Sequence, residues 1–332
     1  MNLADLWFII IAVFWTGFFV LEGFDFGVGA IHSVVGRTET ERRVAINTVG
    51  PFWDGNEVWL IVGAAAIFAA FPAWYASWIS ASYLAIVLLL VALIVRGISF
   101  EWRGRGRGDR WRWGWSLCLT VGSIVAPAVL GLALGDLLAG LPIDSDGNFT
   151  GTFWSLFTGF GVWTSLTVLA LCLLQGSTFL ALRTTDGVRA RARAFGRVIA
   201  SVDLGMVVVF GVWMALAAHP GPGTYVLLAV ALLAVLASLV AQFRARDGLA
   251  FTASSIAIGL AVASLFVSLY PHVLVSSTNA SYSLTVAGSA SGTYALSVMS
   301  IVAAVCFPIV LLYQGYTYIV FRRRVVGPPA SD

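Results

Sequence analysis

The sequence predicts an all-α, polytopic membrane protein with about nine transmembrane helices, and three observations carry that reading. Of its 332 residues, 59% are hydrophobic and only 11% charged, where a soluble domain carries roughly 25% charged residues. One aqueous core cannot hide such a surplus, so it must face lipid. Apolar runs long enough to cross a bilayer recur along the whole chain. Every basic residue is an arginine, and the arginines fall only in alternate connections between those runs.

The runs place spans at 5–33, 45–71, 75–96, 113–140, 153–182, 198–218, 224–243, 249–270 and 294–321, in a single integral membrane domain covering 1–332. Pro72, Pro142, Pro220, Pro222 and Pro271 punctuate the ends on one side. On the other side, Arg37, Arg42 and Arg43 follow span one, and Arg96, Arg103, Arg105, Arg107, Arg110 and Arg112 follow span three. Arg183, Arg189, Arg191, Arg193 and Arg197 follow span five, Arg244 and Arg246 span seven, and Arg322, Arg323 and Arg324 span nine. The connections after spans two, four, six and eight hold none. A wrong span count would scatter arginine on both sides. The positive-inside rule then makes the arginine side cytoplasmic, with the N-terminus outside and the C-terminus in the cytoplasm.

MNLAD carries no basic residue and no small-x-small cleavage site precedes EGFDFGVG, so the first apolar segment is expected to remain as a span. The net charge of +3 is split among loops, which argues against a nucleic acid partner. Cys118, Cys172 and Cys306 all lie in apolar runs and read as small buried hydrophobes, neither disulfides nor metal ligands. Trp74, Tyr75, Trp78, Trp111, Trp113 and Trp115 near span ends read as an interfacial belt. The arginine-free connections are too short to hold a nucleotide site or a quinol-binding subdomain. The longest, 271–293, is polar and Ser-rich.

An ionisable group in hydrocarbon costs several kcal/mol and needs a reason to be there. Glu22 and Asp25 in EGFDFGVG stand i, i+3 and share a helix face. Gly23, Gly27 and Gly29 beside them let another backbone approach closely, which places a partner interface at the first two spans. Asp54 and Glu57 in GPFWDGNEVWLI are again i, i+3, with Trp53 and Asn56 alongside. Counting ~1.5 Å per residue from Arg43, Asp54 lies about 16 Å along and Glu57 about 21 Å, so both lie between the arginine side and mid-membrane. Glu22 and Asp25 read either as acids hydrogen-bonded between helices or as part of a proton or cation path; Asp54 and Glu57 read either as structural acids capping a broken helix or as part of the same path, opening to the cytoplasm. Asp203, Gln175 and Gln314 are more isolated and read first as interhelical hydrogen-bond partners.

A membrane b-type haem needs axial His or Met projecting inward from spans. His32, His219 and His272 all lie at span ends, and one of the four methionines is Met1. The chain is therefore expected to ligate no haem and no metal, and to hold no catalytic residue of its own.

At these residues a resemblance becomes specific. EGFDFGVG, ERRVAINTVGPFWDGNEVWLI, RGISFEWR, YPHVLVSST followed by SLT, and FPIVLLYQGYTYIVF resemble subunit II of the cytochrome bd quinol oxidases, in order and over the whole chain. The loop lengths are similar to those of the shorter, actinobacterial-type members. The resemblance implies two four-helix bundles plus a peripheral helix in a bacterial cytoplasmic membrane. It implies a heterodimer with a subunit I that carries two b-type haems and one d-type haem and oxidises quinol to reduce oxygen to water. The present chain would support that subunit and contribute a cytoplasmic proton path. By motif, Asp25 and Asp54 match positions linked to proton delivery, and Trp53 and Asp54 match positions linked to the integrity of the d-haem site. Glu57 stands where some relatives have Gln. Members of the family can also hold a menaquinone or ubiquinone as a structural lipid, and the resemblance allows a small accessory subunit.

Two other readings compete: a proton-coupled secondary transporter and a purely structural assembly partner. A transporter would more often repeat its broken, acid-bearing helices in both halves, and spans five to nine show nothing equivalent beyond Asp203. Co-purification with a haem-bearing partner discriminates the oxidase reading from both.

Overall fold

The computed structural model describes residues 2–106, 108–218 and 220–325. Arg107 and His219 lie outside the described residues. Helix α1 (Leu3–Val35) opens on a capping box between Asn2 and Asp5. A short amphipathic α2 (Glu39–Asn47) follows, capped by Thr38 and Glu41. Then come α3 (Trp53–Ala70), α4 (Pro72–Ala81), α5 (Tyr83–Trp102), α6 (Asp109–Ala139), α7 (Gly159–Arg183), α8 (Asp186–Ala218), α9 (Pro222–Phe243) and α10 (Asp247–Leu269). Strands β1 (His272–Leu274) and β2 (Leu284–Thr285), the single turn α11 (Val286–Ser289) and α12 (Thr293–Val320) complete the chain.

Among the described residues, eight helices are long and apolar enough to cross a membrane. Helix α3 packs among them but is not one of the eight, because its first turns carry Asp54, Asn56 and Glu57. Helices α1, α3, α5 and α6 form one four-helix bundle and α7–α10 a second, with α1 and α7 packed together at the centre. Helix α12 stands outside both and buries only Leu296 among its residues. Lipid tails are as apolar as leucine, so the seams rely on close packing and hydrogen bonds. The tightest is the α1–α7 crossing. A Cβ on Gly27 would collide with the Cys172 carbonyl oxygen and lie 2.8 Å from Gly176 Cα.

The structure departs from the expected spans where backbone chemistry intervenes. Span two does not run as one helix from 45. Pro51, with no N–H to donate, lies in the turns between α2 and α3. Span three starts earlier, at Pro72, breaks at Ser82, and continues beyond 96 to Trp102. The helical part of span five starts at Gly159, after an isolated 3-10 turn at Phe153–Leu156. Span six begins at Asp186 and not at 198, so Arg189, Arg191, Arg193 and Arg197 ride on the first turns of α8.

The 271–293 connection is not a plain loop. Strands β1 and β2 pair antiparallel, and Ser276 bridges to Leu141. Val273, Leu274, Leu141, Ile143 and Val286 are buried beneath this cap. Trp74 and Trp78 belong to the core and not to an interfacial belt: they stack on one another, and Trp78 Nε1 donates to the Ala133 carbonyl at 3.2 Å. Of the cysteines, Cys172 is buried, Cys118 half-buried and Cys306 exposed, so only the first matches the expected small buried hydrophobe.

Candidate functional site

Helix α1 brings Glu22 and Asp25 into the centre of the first bundle, both fully buried. Their cation comes from α5. Arg96, counted in the sequence as a loop residue, lies inside that helix and is itself fully buried. Its Nη2 lies 2.6 Å from Glu22 Oε1, an ionic contact whose angles do not make a hydrogen bond. Its Nη1 donates to Glu57 Oε2 of α3 at 3.3 Å. The guanidinium also lies over the rings of Phe26 and Phe100, 4.7 and 5.3 Å from their centroids. Two carboxylates therefore contact one guanidinium, and Asp25 lies three residues along α1 from Glu22. Ala85, Leu89, Ala92, Leu93, Arg96 and Ser99 form the buried stripe of α5, and Arg96 continues it at helical spacing.

Asn56 is the second missed centre. Its Nδ2 donates to Asp25 Oδ2 at 2.7 Å and to the Leu21 carbonyl at 2.9 Å. Its Oδ1 accepts from Gln314 Nε2 at 2.6 Å and from the Tyr318 hydroxyl at 3.2 Å. One amide thus joins α1, α3 and α12, and Gln314, read from sequence as an interhelical partner, is one arm of it. At its other end α12 is held by Trp7, whose Nε1 donates to the Leu296 carbonyl and to Ser300 Oγ.

The remaining sequence-selected residues fall elsewhere. Asp54 and Glu57 do not converge: Glu57 turns to Arg96, whereas Asp54 is exposed on the outward stripe of α3 with Val58, Ile61 and Phe68. Trp53 stacks on Phe100 with ring centroids 4.9 Å apart, next to Arg96. Gly23 faces Gln175, Gly27 faces Gly176 and Gly29 faces Ser123 of α6. These three glycines pack inside the chain and not against a partner, because their helix face is turned to the neighbouring spans. Gln175 ties α7 to α1 and α10, donating to the Val20 carbonyl at 2.8 Å and to Ser255 Oγ at 2.9 Å. Asp203 is buried on α8, and neither carboxylate oxygen finds a partner among the described residues. Asp136, unnoticed in the sequence although it interrupts an apolar run, is buried near the far end of α6. It accepts from Thr158 Oγ1 at 2.6 Å, beside the N-terminus of α7.

His32 is buried at the end of α1, with Nδ1 2.7 Å from the Gly29 carbonyl and Nε2 3.0 Å from Ser33 Oγ. His272 lies in β1. Among the described residues no group of three or more His, Cys, Asp or Glu is placed to hold a metal ion. An apolar cleft of about 550 Å³ runs between α3 and α5, with Glu57 among its lining residues.

Comparison with known proteins agrees with this architecture. A family model described as "Cytochrome bd terminal oxidase subunit II" matches residues 3–321. The cytochrome bd ubiquinol oxidase subunit 2 of Bacillus subtilis is 41% identical over 328 residues, covering 98% of this chain and 97% of the relative. The cytochrome bd-I ubiquinol oxidase subunit 2 of Escherichia coli is 34% identical over 353 residues, covering 95% and 93%. A chain of the solved bd oxidase from Geobacillus thermodenitrificans shares the fold, with a TM-score of 0.72 at 18% identity, covering 97% of this chain and 98% of that one. With its long helices gathered in two bundles and a motif-bearing acid cluster in the first, this chain belongs to the cytochrome bd terminal oxidase subunit II family.

Proposed function

We propose that this chain is the non-haem subunit II of a quinol-oxidising terminal oxidase of aerobic respiration, and that its carboxylates conduct protons from the cytoplasm toward a haem-bearing subunit I. The observation that carries this is the cluster of buried Glu22 and Asp25 with half-buried Glu57, in which Glu22 and Glu57 both contact Arg96. If all three acids were ionised, one guanidinium would leave the cluster with surplus negative charge, and uncompensated charge in hydrocarbon is costly. More acids than guanidinium therefore means that protons are shared within the cluster, and acids that share protons can pass them on. The d-type haem of the partner would supply the oxygen chemistry. The residues here would hold and move protons at the carboxylate oxygens.

Asp54 connects the cluster's helix to the outside of the chain. An exposed carboxylate among Val58, Ile61 and Phe68 is a poor neighbour for lipid. Subunit I covering the α3–α12 face would give Asp54 a polar surrounding, and Asp25, Glu57 and Asp54 would form the order of transfer. The Trp53–Phe100 stack would hold the start of α3 against α5 and so support the haem site across the interface. A structural menaquinone or ubiquinone would find room for its isoprenoid tail in the α3–α5 cleft. The one-sided distribution of arginine supports a cytoplasmic arginine side under the positive-inside rule. An impermeant maleimide should then reach a cysteine at Asp146 from outside only and one at Arg105 from inside only. Labelling of both from one side overturns the orientation.

The test of the proton path uses the purified complex. Asp54→Asn and Asp25→Asn keep size and polarity but remove the titratable proton. Each should slow steady-state oxygen reduction while electron entry from quinol to the first haem stays near normal. Full turnover with all haem bands present refutes the relay. Loss of the d-type band makes the residue structural.

A further inference from the structure

We propose that the groove between α9 and α10 on the arginine side binds one anionic phospholipid, with its phosphate at Arg244 and Arg246 and one acyl chain along the helices. The groove has a volume of about 530 Å³ and is walled by Leu233, Leu236 and Val240 of α9 and Leu249 and Ile256 of α10. These side chains are exposed. Its mouth is the tight turn Arg244–Arg246 joining the two helices, where Ala245 takes a left-handed conformation (φ +56°) that sets the two arginines on either side of it.

Charge favours an anion there. Both arginines are exposed, and neither forms an ion pair among the described residues. The adjacent acid, Asp247, is already taken. Arg189 Nη2 approaches it to 2.6 Å, Arg193 Nε to 2.7 Å and Arg324 Nη2 to 3.7 Å. Positive charge therefore remains in surplus at the mouth. The other large apolar grooves do not share this feature: Asp5 lies among the residues lining the one between α1 and α10, and Glu57 among those lining the cleft between α3 and α5.

Length favours a lipid over a free anion. From Leu233 to Arg244 the α9 wall runs about 16 Å at ~1.5 Å per residue. One leaflet of the hydrocarbon is about half of the ~30 Å core. An acyl chain seated beside Leu233 thus places its phosphate at the level of the two arginines.

The complex is reconstituted in nanodiscs of equal parts phosphatidylglycerol and phosphatidylcholine, and retained lipid is read by native mass spectrometry. The intact protein should keep one phosphatidylglycerol in preference to phosphatidylcholine. Replacing both arginines (R244Q with R246Q) should weaken retention about thirtyfold, the equivalent of about 2 kcal/mol at ~1 kcal/mol per basic residue. Ala237→Trp fills the groove and leaves the arginines in place, and it should also expel the lipid. Ala253→Leu does the same from the α10 wall if the first variant does not assemble. Unchanged retention in the double arginine variant overturns the proposal. Loss in the arginine variant with full retention after groove filling also overturns it, since the anion would then be held without a chain in the groove.

Discussion

Replacing Arg96 by Met should destabilise the protein more than any surface change, and the structure sets the size. The guanidinium and Glu22 are both fully buried, and Arg96 also contacts Glu57. Removing one partner of a buried ion pair costs about 3–5 kcal/mol, because the other charge is left uncompensated. Met fills similar volume, so little of that loss comes from a cavity. If the penalty is electrostatic, removing the stranded charge should restore stability, and Arg96→Met with Glu22→Gln should recover about half of it. Glu22→Gln alone leaves Arg96 with Glu57 and should cost less than Arg96→Met. SDS-titrated unfolding of the purified complex, followed by loss of helical signal, measures all four proteins. A loss below about 1 kcal/mol for Arg96→Met, or a double variant as unstable as the single one, refutes charge compensation and leaves Arg96 as a packing residue.

Gly27→Ala adds a Cβ where the neighbour is backbone and cannot swing away, so it should cost about 3 kcal/mol, the upper end for overpacking, in the same unfolding assay; a neutral result means the α1–α7 crossing is looser than described. Asn56→Ala leaves Gln314, Tyr318 and Asp25 short of a partner and should loosen α12 by about 2 kcal/mol. Faster proteolysis at Arg322–Arg324 with the bundles intact would register it, and an unchanged rate would count against the amide as the tether. The Asp144 carboxylate accepts the backbone N–H of Asn148 at 2.8 Å, then the Asn148 side chain and the Asp146 N–H, which holds its pKa below the ordinary carboxylate value. A lowered pKa means the turn gains order above about pH 4 and loses it as pH falls through the lowered value. Amide-exchange protection over 143–149, corrected for intrinsic rate, should follow that course, and a pH-independent profile would contradict it.

The spans, their alternation and the paired acids were legible because lipid imposes long apolar runs and the arginines mark one side. Arg96 was misplaced because the apolar run stops just before it. Only the burial stripe of α5, continued through Ser99, shows that the helix goes on. Asn56 was visible in its motif, but its partner Gln314 lies 258 residues away, and no local pattern announces such a contact. The cap formed by 271–293 escaped for the opposite reason. Its Ser-rich stretch has the composition of a loop, and its order comes from tertiary bridges such as Ser276 to Leu141. Asp54 was grouped with Glu57 by spacing alone, yet three residues on this helix separate a buried face from an exposed one.

Where α1 and α7 meet at Gly27 and Gly176, main chain lies directly on main chain. No side chain there can rotate to absorb movement, and sliding one bundle past the other would drive a carbonyl into a Cα. Asp25 is two residues from that junction and Glu22 five, so both acids are positioned next to a contact of main chain on main chain. At this crossing the subunit is a strut without a hinge, and the spacing of its two bundles is set by backbone contact instead of by side chains that could repack.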